Sequence, residues 1–265
     1  MKTINEYLSN KISISKIKAT DKTIKKIVID ELKRLGHDAD LNHIDTSKVT
    51  NMNSLLTYAH GELVRGEKTS IELNPDISKW NVSNVIDFDR MFQYCYEFNC
   101  DLSEWDVSSG KTFHDMFVMS KINFDVSRWN LANATDISEM FEYCNAFEGI
   151  GLENWDTSRI TSMSSLFSSC KNKNFNPNLS NWDVSSVIYF NYMFEDCSYF
   201  TGNGLKNWKP ENGKNFTKMF YKCERLDKNN FNMHYWANIV KHYHDDFMFS
   251  NTPLEQDFYK EVNRL

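Results

Sequence analysis

The chain has 265 residues, with 30 basic and 36 acidic side chains, a net charge of −6 and 14% aromatic residues. This balance supplies no positive field for gripping phosphates, so nucleic acid is excluded as a partner class, and no run of 18 apolar residues marks a membrane-inserted segment. Residues 1–10 lack the apolar core of a signal peptide and a lipobox cysteine, which points to a cytoplasmic or phage-associated protein rather than one exported by the general pathway.

Residues 1–39 carry no repeat. Residues 22–35 have the spacing of an amphipathic helix, with Ile24, Ile27, Val28 and Leu35 on one stripe, Asp21 as N-cap and Gly36 as the stop. Lys18, Lys22, Lys25 and Lys26 read as a solvated face. A stack of repeats exposes an apolar end, so residues 1–39 are expected to cap it. A docking helix for a partner is the alternative.

From residue 40 a period sets in. Trp80, Trp105, Trp129, Trp155, Trp182 and Trp208 follow one another at intervals of 25, 24, 26, 27 and 26 residues. An aliphatic residue stands three positions before each, and a Phe twelve positions after: Phe92, Phe117, Phe141, Phe167, Phe194 and Phe220. A looser copy precedes them, with Leu41, Ile44, Met52, Leu55, Leu56 and Ala59; an insertion at residues 60–70 separates it from the rest. Insertions in repeats map to loops on one face.

Within one unit, Leu179, Trp182, Val184 and Val187 follow the strand half of a leucine-rich repeat. Phe190, Met193, Phe194 and Cys197 fall at i, i+3, i+4 and i+7, the spacing of a helix face. Each unit is therefore expected to be a short strand followed by a two-turn helix. In one unit Asp136 and Glu139 are placed as a capping box. Cys95, Cys144, Cys170, Cys197 and Cys223 share the last inward position with Ala59 and Ser120; only Cys100 stands apart. Neighbouring helices lie about 8–10 Å apart and a disulfide needs Cα atoms within about 7 Å, so the cysteines read as reduced core residues.

After Cys223 the signature loosens, and Trp236, Met248 and Phe249 are out of step by one residue. Thr252, Pro253 and Glu255 then open a terminal helix to about Arg264, with Leu254, Phe258 and Val262 along its apolar edge. The organisation expected is an N-terminal helical cap (1–39), a repeat array (40–225), and a degenerate last coil with a C-terminal helical cap (226–265).

The run W-[DN]-V-S-x-V-x-x-[FM]-x-x-M-F-x-x-C, spread over residues 40–223, resembles the BspA-type leucine-rich-repeat proteins. It is similar too to the repeats of mycoplasma surface lipoproteins. The resemblance implies a bacterial or phage-associated recognition surface, often adhesive, with no catalytic residues. Many such proteins carry a secretion signal or lipid anchor, from which this chain departs. The fold expected is α/β: one leucine-rich-repeat-like solenoid of seven to eight coils of 24–28 residues, with short parallel strands on its concave face and short helices on the other.

Side chains beside the inward Trp and Val point to the other side of such a sheet. This places Lys79, Glu104, Arg128, Asn154 and Asn181 in one exposed column, and Asn81, Asp106, Asn130, Asp156 and Asp183 in the next. Two readings of the second column stay open. Its oxygens suit a cation such as Ca²⁺, or each side chain accepts backbone N–H groups from the residues that follow, as an Asx-turn. The interruptions by Asn favour the turn. His242 and His244, with Asp245 and Asp246, offer metal donors but lack a third well-spaced ligand and read as a polar loop.

No nucleophile elbow, P-loop, zinc or dinucleotide fingerprint occurs, so no catalytic, metal or cofactor residue is assigned and no enzyme activity is expected. The function expected is protein–protein interaction or adhesion through the ten column residues, with a protein partner and a monomer as the favoured state. A structural component of a larger assembly is the alternative. An enzyme of another type would require a deep pocket with convergent polar groups.

Overall fold

The structure, a computed structural model, describes residues 16–65, 72–240 and 246–265. His242 and His244, and residues 66–70 of the insertion, lie outside the described residues. Regular secondary structure gathers at the two ends. Strand β1 (Ile17–Lys18) pairs in parallel with β2 (Ile44–Asp45). Helix α1 (Ile24–Leu35) packs on α2 (Leu55–Val64), and α3 (Met233–Val240) packs on α4 (Glu255–Val262). Between the ends, parallel single-residue bridges join the same position of successive repeats, from Asn51 to Asp87, Thr112, Asp136, Ser162, Tyr189 and Asn215. Repeat therefore stacks on repeat in chain order.

The half of each repeat spaced like a helix has a different backbone. Met91 N–H donates to the Phe88 carbonyl at 3.2 Å and Cys95 N–H to that of Phe92 at 3.1 Å, closing two consecutive four-residue turns. The third residues of these turns, Arg90 and Tyr94, have φ of 57° and 61°. The left-handed pair recurs as Asp115 and Met119, Glu139 and Tyr143, Ser165 and Ser169, Tyr192 and Asp196, and Lys218 and Lys222. Two adjoining turns carry their first and fourth residues inward, so their apolar spacing matches that of a helix. The N–H groups decide between them. Those of Phe88, Arg90, Phe92 and Tyr94 donate to carbonyls of Thr112, His114, Met116 and Val118 in the next repeat at 2.9–3.1 Å. An α-helix would need the same groups for its own i→i−4 bonds. A left-handed residue other than glycine costs about 1–2 kcal/mol, which the inter-repeat ladder offsets.

The Asp136–Glu139 capping box is corrected for the same reason. Asp136 Oδ1 accepts the N–H of Ser138 at 2.9 Å, and Glu139 is itself left-handed at φ 58°. The stretch around each Trp is also a turn, Trp105 N–H donating to Leu102 O and Trp129 N–H to Val126 O at 3.0 Å. In the first repeat the expected position is a strand, Ile44–Asp45, and Asp40 bridges Asp76; in the later repeats the bridges lie at Asp87 and its counterparts instead of at the Trp-Asp-Val stretch. At Gly151 (φ 91°) the chain passes so close to the backbone of Ser127, one repeat earlier, that a Cβ would overlap its nitrogen; glycine meets both demands.

Three columns of large or reactive side chains run through the core. Phe92, Phe117, Phe141, Phe167, Phe194, Phe220 and Phe249 stack in succession at centroid separations of 5.1–5.8 Å, and Phe258 of α4 ends the series 4.4 Å from Phe249. From Trp80 to Trp208 each indole of the series donates to the carbonyl of the aliphatic residue of the preceding repeat, as Trp182 does to Leu152 at 2.8 Å and Trp208 to Leu179 at 2.9 Å. The buried thiols of Cys144, Cys170, Cys197 and Cys223 donate to the carbonyls of Phe117, Phe141, Phe167 and Phe194 at 2.9–3.1 Å. All six cysteines are unpaired. Burial pushes the Cys95 and Cys144 thiols up to about 12, so both stay protonated.

At the N-terminal end, Asp21 is not the cap of α1. Its Oδ1 accepts the N–H of Thr50 at 2.7 Å and of Asn51 at 3.1 Å, tying the segment to the first repeat, while Thr20 N–H donates to the hydroxyl of Thr23. Leu35, placed on the apolar stripe, is exposed, and Glu31 is buried in its stead. At the other end α4 begins at Glu255, later than the spacing indicated. Thr252 Oγ1 accepts Leu254 N–H at 3.2 Å and Glu255 Oε2 accepts Asn251 N–H at 3.1 Å, a reciprocal pair ahead of the helix.

Candidate functional site

Two sets of side chains are candidates for chemistry or recognition. The first is the pair of columns beside the Trp series. Lys79, Glu104, Arg128, Asn154 and Asn181, and Asn81, Asp106, Asn130, Asp156 and Asp183, are all exposed. The structure divides them by duty. In the second column every Oδ1 accepts the backbone N–H two residues on: Asn81 from Ser83, Asp106 from Ser108, Asn130 from Ala132, Asp156 from Ser158 and Asp183 from Ser185, at 2.9–3.1 Å. These are Asx-turns, and they shape the corner of each repeat. Hydrogen bonds from the Ser158 hydroxyl and N–H hold the Asp156 carboxyl below the usual carboxylate range. The first column closes no such turn. Arg128 pairs with Glu104 one repeat before it, and Asn181 Nδ2 donates to the Glu153 carbonyl at 3.2 Å.

The second set lies in the double-turn half of the repeats. Arg90, Asp115 and Glu139 occupy the same left-handed position in three successive repeats. Asp115 is 5% exposed, and its Oδ2 lies 3.0 Å from both Arg90 Nε and His114 Nε2. His114 is held from three sides. Its N–H donates to Asp89 Oδ1 at 2.9 Å, its Nδ1 lies 2.9 Å from Ser138 Oγ, and its Nε2 faces Asp115. Because the Ser138 hydroxyl donates to Asp136 Oδ1 at 2.5 Å, its oxygen accepts the Nδ1–H of His114. One donor atom from each of His114, Asp115 and Glu139 lies within 4.8 Å of the others, the one such group among the described residues.

Residues 26–150 and 137–260 match the family described as a mycoplasma protein of unknown function, DUF285. The chain belongs to the DUF285 family. No curated protein and no solved structure matches it. The two matched segments take in the Trp and Phe series and both candidate sets of this DUF285 protein. None of its helices is long and apolar enough to cross a membrane among the described residues.

The electrostatics of the second set follow from crowding three carboxyls into a partly buried space. The hydrogen bond to Asp115 raises His114 to about 9 against the opposing effect of burial. Burial would raise Asp115, but hydrogen bonds from His114 and Glu139 outweigh it and hold the carboxyl down. Burial and the neighbouring Asp115 raise Glu139. Burial, with Glu139 and Asp115 nearby, pushes Glu142 up to about 7. Nothing within a single repeat marks this set, because its members come from successive repeats. The signal that finds it is the period: Arg90, Asp115 and Glu139 are 25 and 24 residues apart, so aligning the Phe half of the repeats puts them in one column.

Proposed function

We propose that the stacked units form a leucine-rich-repeat-like solenoid of the BspA type, in which double turns replace the short helices. We propose further that the chain is a non-catalytic module that recognises a protein partner through the exposed columns beside the Trp series. The observation that carries this reading is the division of labour at the corner of each repeat. The Asx-turns of Asn81, Asp106, Asn130, Asp156 and Asp183 fix the backbone, and the adjacent column presents one exposed side chain per repeat that can vary without disturbing a turn. Lysine, glutamate, arginine and asparagine follow one another there, at Lys79, Glu104, Arg128, Asn154 and Asn181. A rigid lattice with a variable polar row suits recognition of one surface over another.

The test is a pull-down with the full chain from envelope and lysate fractions, compared with a Lys79→Glu, Asn154→Lys variant whose Asx-turns are untouched. Loss of a bound protein in the variant is the expected outcome. Retention of the same protein would move the contact off this column. Recovery of the chain alone, with self-association in solution, would favour a component of a larger assembly.

A further inference from the structure

We propose that His114, Asp115 and Glu139 form a site for a divalent cation of the Zn²⁺ type, which staples one repeat to the next. Three observations carry it. The donors already converge: the three side chains each bring an atom within 4.8 Å of the others, and His114 Nε2 is 3.0 Å from Asp115 Oδ2. Zinc holds such nitrogen and oxygen donors at about 2.0–2.2 Å, so the three donors draw in around the ion when it binds.

The imidazole is also oriented as a ligand. The relay from Asp136 through the Ser138 hydroxyl takes up the Nδ1–H of His114 and leaves Nε2 turned toward the two carboxylates. Histidine ligands characteristically donate their second ring N–H to a fixed acceptor of this kind, which sets tautomer and ring orientation. On binding, the cation takes the Nε2 lone pair and a Glu139 oxygen, and the protons that Nε2 and Glu139 had donated to Asp115 pass to solvent.

Charge gives the third argument. Asp115, Glu139 and the adjacent Glu142 are three carboxyl groups, faced by the Arg90 guanidinium and, once its Nε2 is metal-bound, a neutral His114. With Asp89 and Asp136 also beside His114, carboxyl groups outnumber the cationic partners, and a divalent ion offsets part of that excess with Arg90 still paired to Asp115. One imidazole with two carboxylates is a mixed donor set, better matched to Zn²⁺, Fe²⁺ or Co²⁺ than to the all-oxygen preferences of Ca²⁺ and Mg²⁺.

The experiment titrates Co²⁺, then Zn²⁺, into the metal-stripped full chain and records visible absorption and the thermal midpoint. The expected result is one Co²⁺ per chain, with d–d bands that Zn²⁺ displaces and a midpoint that rises with either ion. Glu139→Gln and His114→Gln should each abolish bands and rise, with metal-free midpoints measured to show that the variants fold. Ser138→Ala, which frees the imidazole, should weaken binding by roughly 10- to 100-fold and shift the bands. Glu224→Gln, at an exposed carboxylate far along the repeats, should leave both bands and rise unchanged. Absence of bands at millimolar Co²⁺, a rise with Ca²⁺ alone, or bands that survive in both Glu139→Gln and His114→Gln would overturn the proposal; the last would move the metal elsewhere in the chain.

Discussion

The stretch from residue 52 to residue 59 and the stretch from residue 88 to residue 95 have the same spacing of buried apolar side chains, and their backbones part half-way along. Met52, Leu55, Leu56 and Ala59 are as buried as Phe88, Met91, Phe92 and Cys95. Each stretch opens on the same turn, with Leu55 N–H on Met52 O and Ser54 left-handed at φ 55° as Arg90 is at 57°; from Leu55 the first runs into helix α2 while the second makes another turn. The difference lies in what stands on the N-terminal side. The carbonyls of Asp87, Asp89 and Met91 accept N–H groups of Met52, Ser54 and Leu56 from the preceding repeat. The first repeat has α1 on that side, not another repeat, so its carbonyls are free for bonds within the chain, and Ser54 O accepts Tyr58 N–H at 2.8 Å. Local sequence sets which side chains face inward; the neighbour sets the backbone that carries them.

The Phe series tests this dependence most severely. Phe141 is stacked between Phe117 and Phe167, 5.8 Å from each, and against Phe147 at 4.2 Å. Phe141→Ala should cost on the order of 3–5 kcal/mol in denaturant unfolding. Since each interior turn leans on its neighbours, hydrogen exchange should speed up in the flanking repeats while α1 and α2 remain protected. Exchange changes confined to residues near 141 would contradict a backbone held by inter-repeat bonds.

The Trp series offers the same comparison at the other end. Trp182 donates its buried indole N–H to Leu152 O. Trp236, in α3, lies nearly perpendicular to Phe216 and Phe220, at 86° and 81°, and its buried N–H has no partner among the described residues. Both rings lose area on replacement by Phe, but only Trp182→Phe loses a hydrogen bond, and Trp236→Phe removes an unpaired donor. Trp182→Phe should be the more destabilising, by roughly 1–3 kcal/mol. Equal midpoints in urea for the two variants would mean that the indole bonds contribute nothing to the stack.

How much of this was legible in the sequence depends on which property is asked for. The anchors could be read directly: every Trp and Phe of the two series is buried, because a repeat period of 24–27 residues shows which positions must face a shared core. The backbone could not, since the spacing of Phe190, Met193, Phe194 and Cys197 fits a helix and a pair of turns equally, and propensity argues against left-handed Tyr, Asp and Lys. Those conformations exist only because the next repeat supplies the carbonyls. The Asx-turns of Asp156 and Asp183 could be read because both partners lie within three residues. His114 and Glu139 could not be paired by local reasoning, since a whole repeat separates them.

Glycine should act with opposite signs in the two backbones. Gly61 sits inside α2 with open space around its Cα, so Gly61→Ala should stabilise by about 0.5–1 kcal/mol. Ser169 holds φ at 58° in an interior turn, and Ser169→Gly should relieve part of the roughly 1 kcal/mol or more that the left-handed region costs, leaving a small gain or no loss in the thermal midpoint. A clear loss in Ser169→Gly would mean that its buried hydroxyl, not its backbone, is what the site requires.

The smallest effect is expected at the junction that makes the first repeat different. Glu31 of α1 is buried against the first repeat, where it meets Arg34 Nη2 at 2.5 Å and His43 Nε2 at 2.8 Å. The hydrogen bond from Arg34, and then that from His43, hold its carboxyl below the usual glutamate range despite burial. A depressed carboxyl stabilises the fold above the value it has in the unfolded chain, roughly 4, and that contribution fades as the pH falls through the lower folded value. Glu31→Gln should therefore be less stable than the parent at neutral pH and should approach it as the pH is lowered from about 5 toward 3. If α1 holds the end of the stack as the helical form of α2 implies, this convergence should be accompanied by faster amide exchange in α2 and little change beyond residue 88. Loss spread evenly along the repeats would instead make Glu31 one titrating group among many, and α1 no special neighbour.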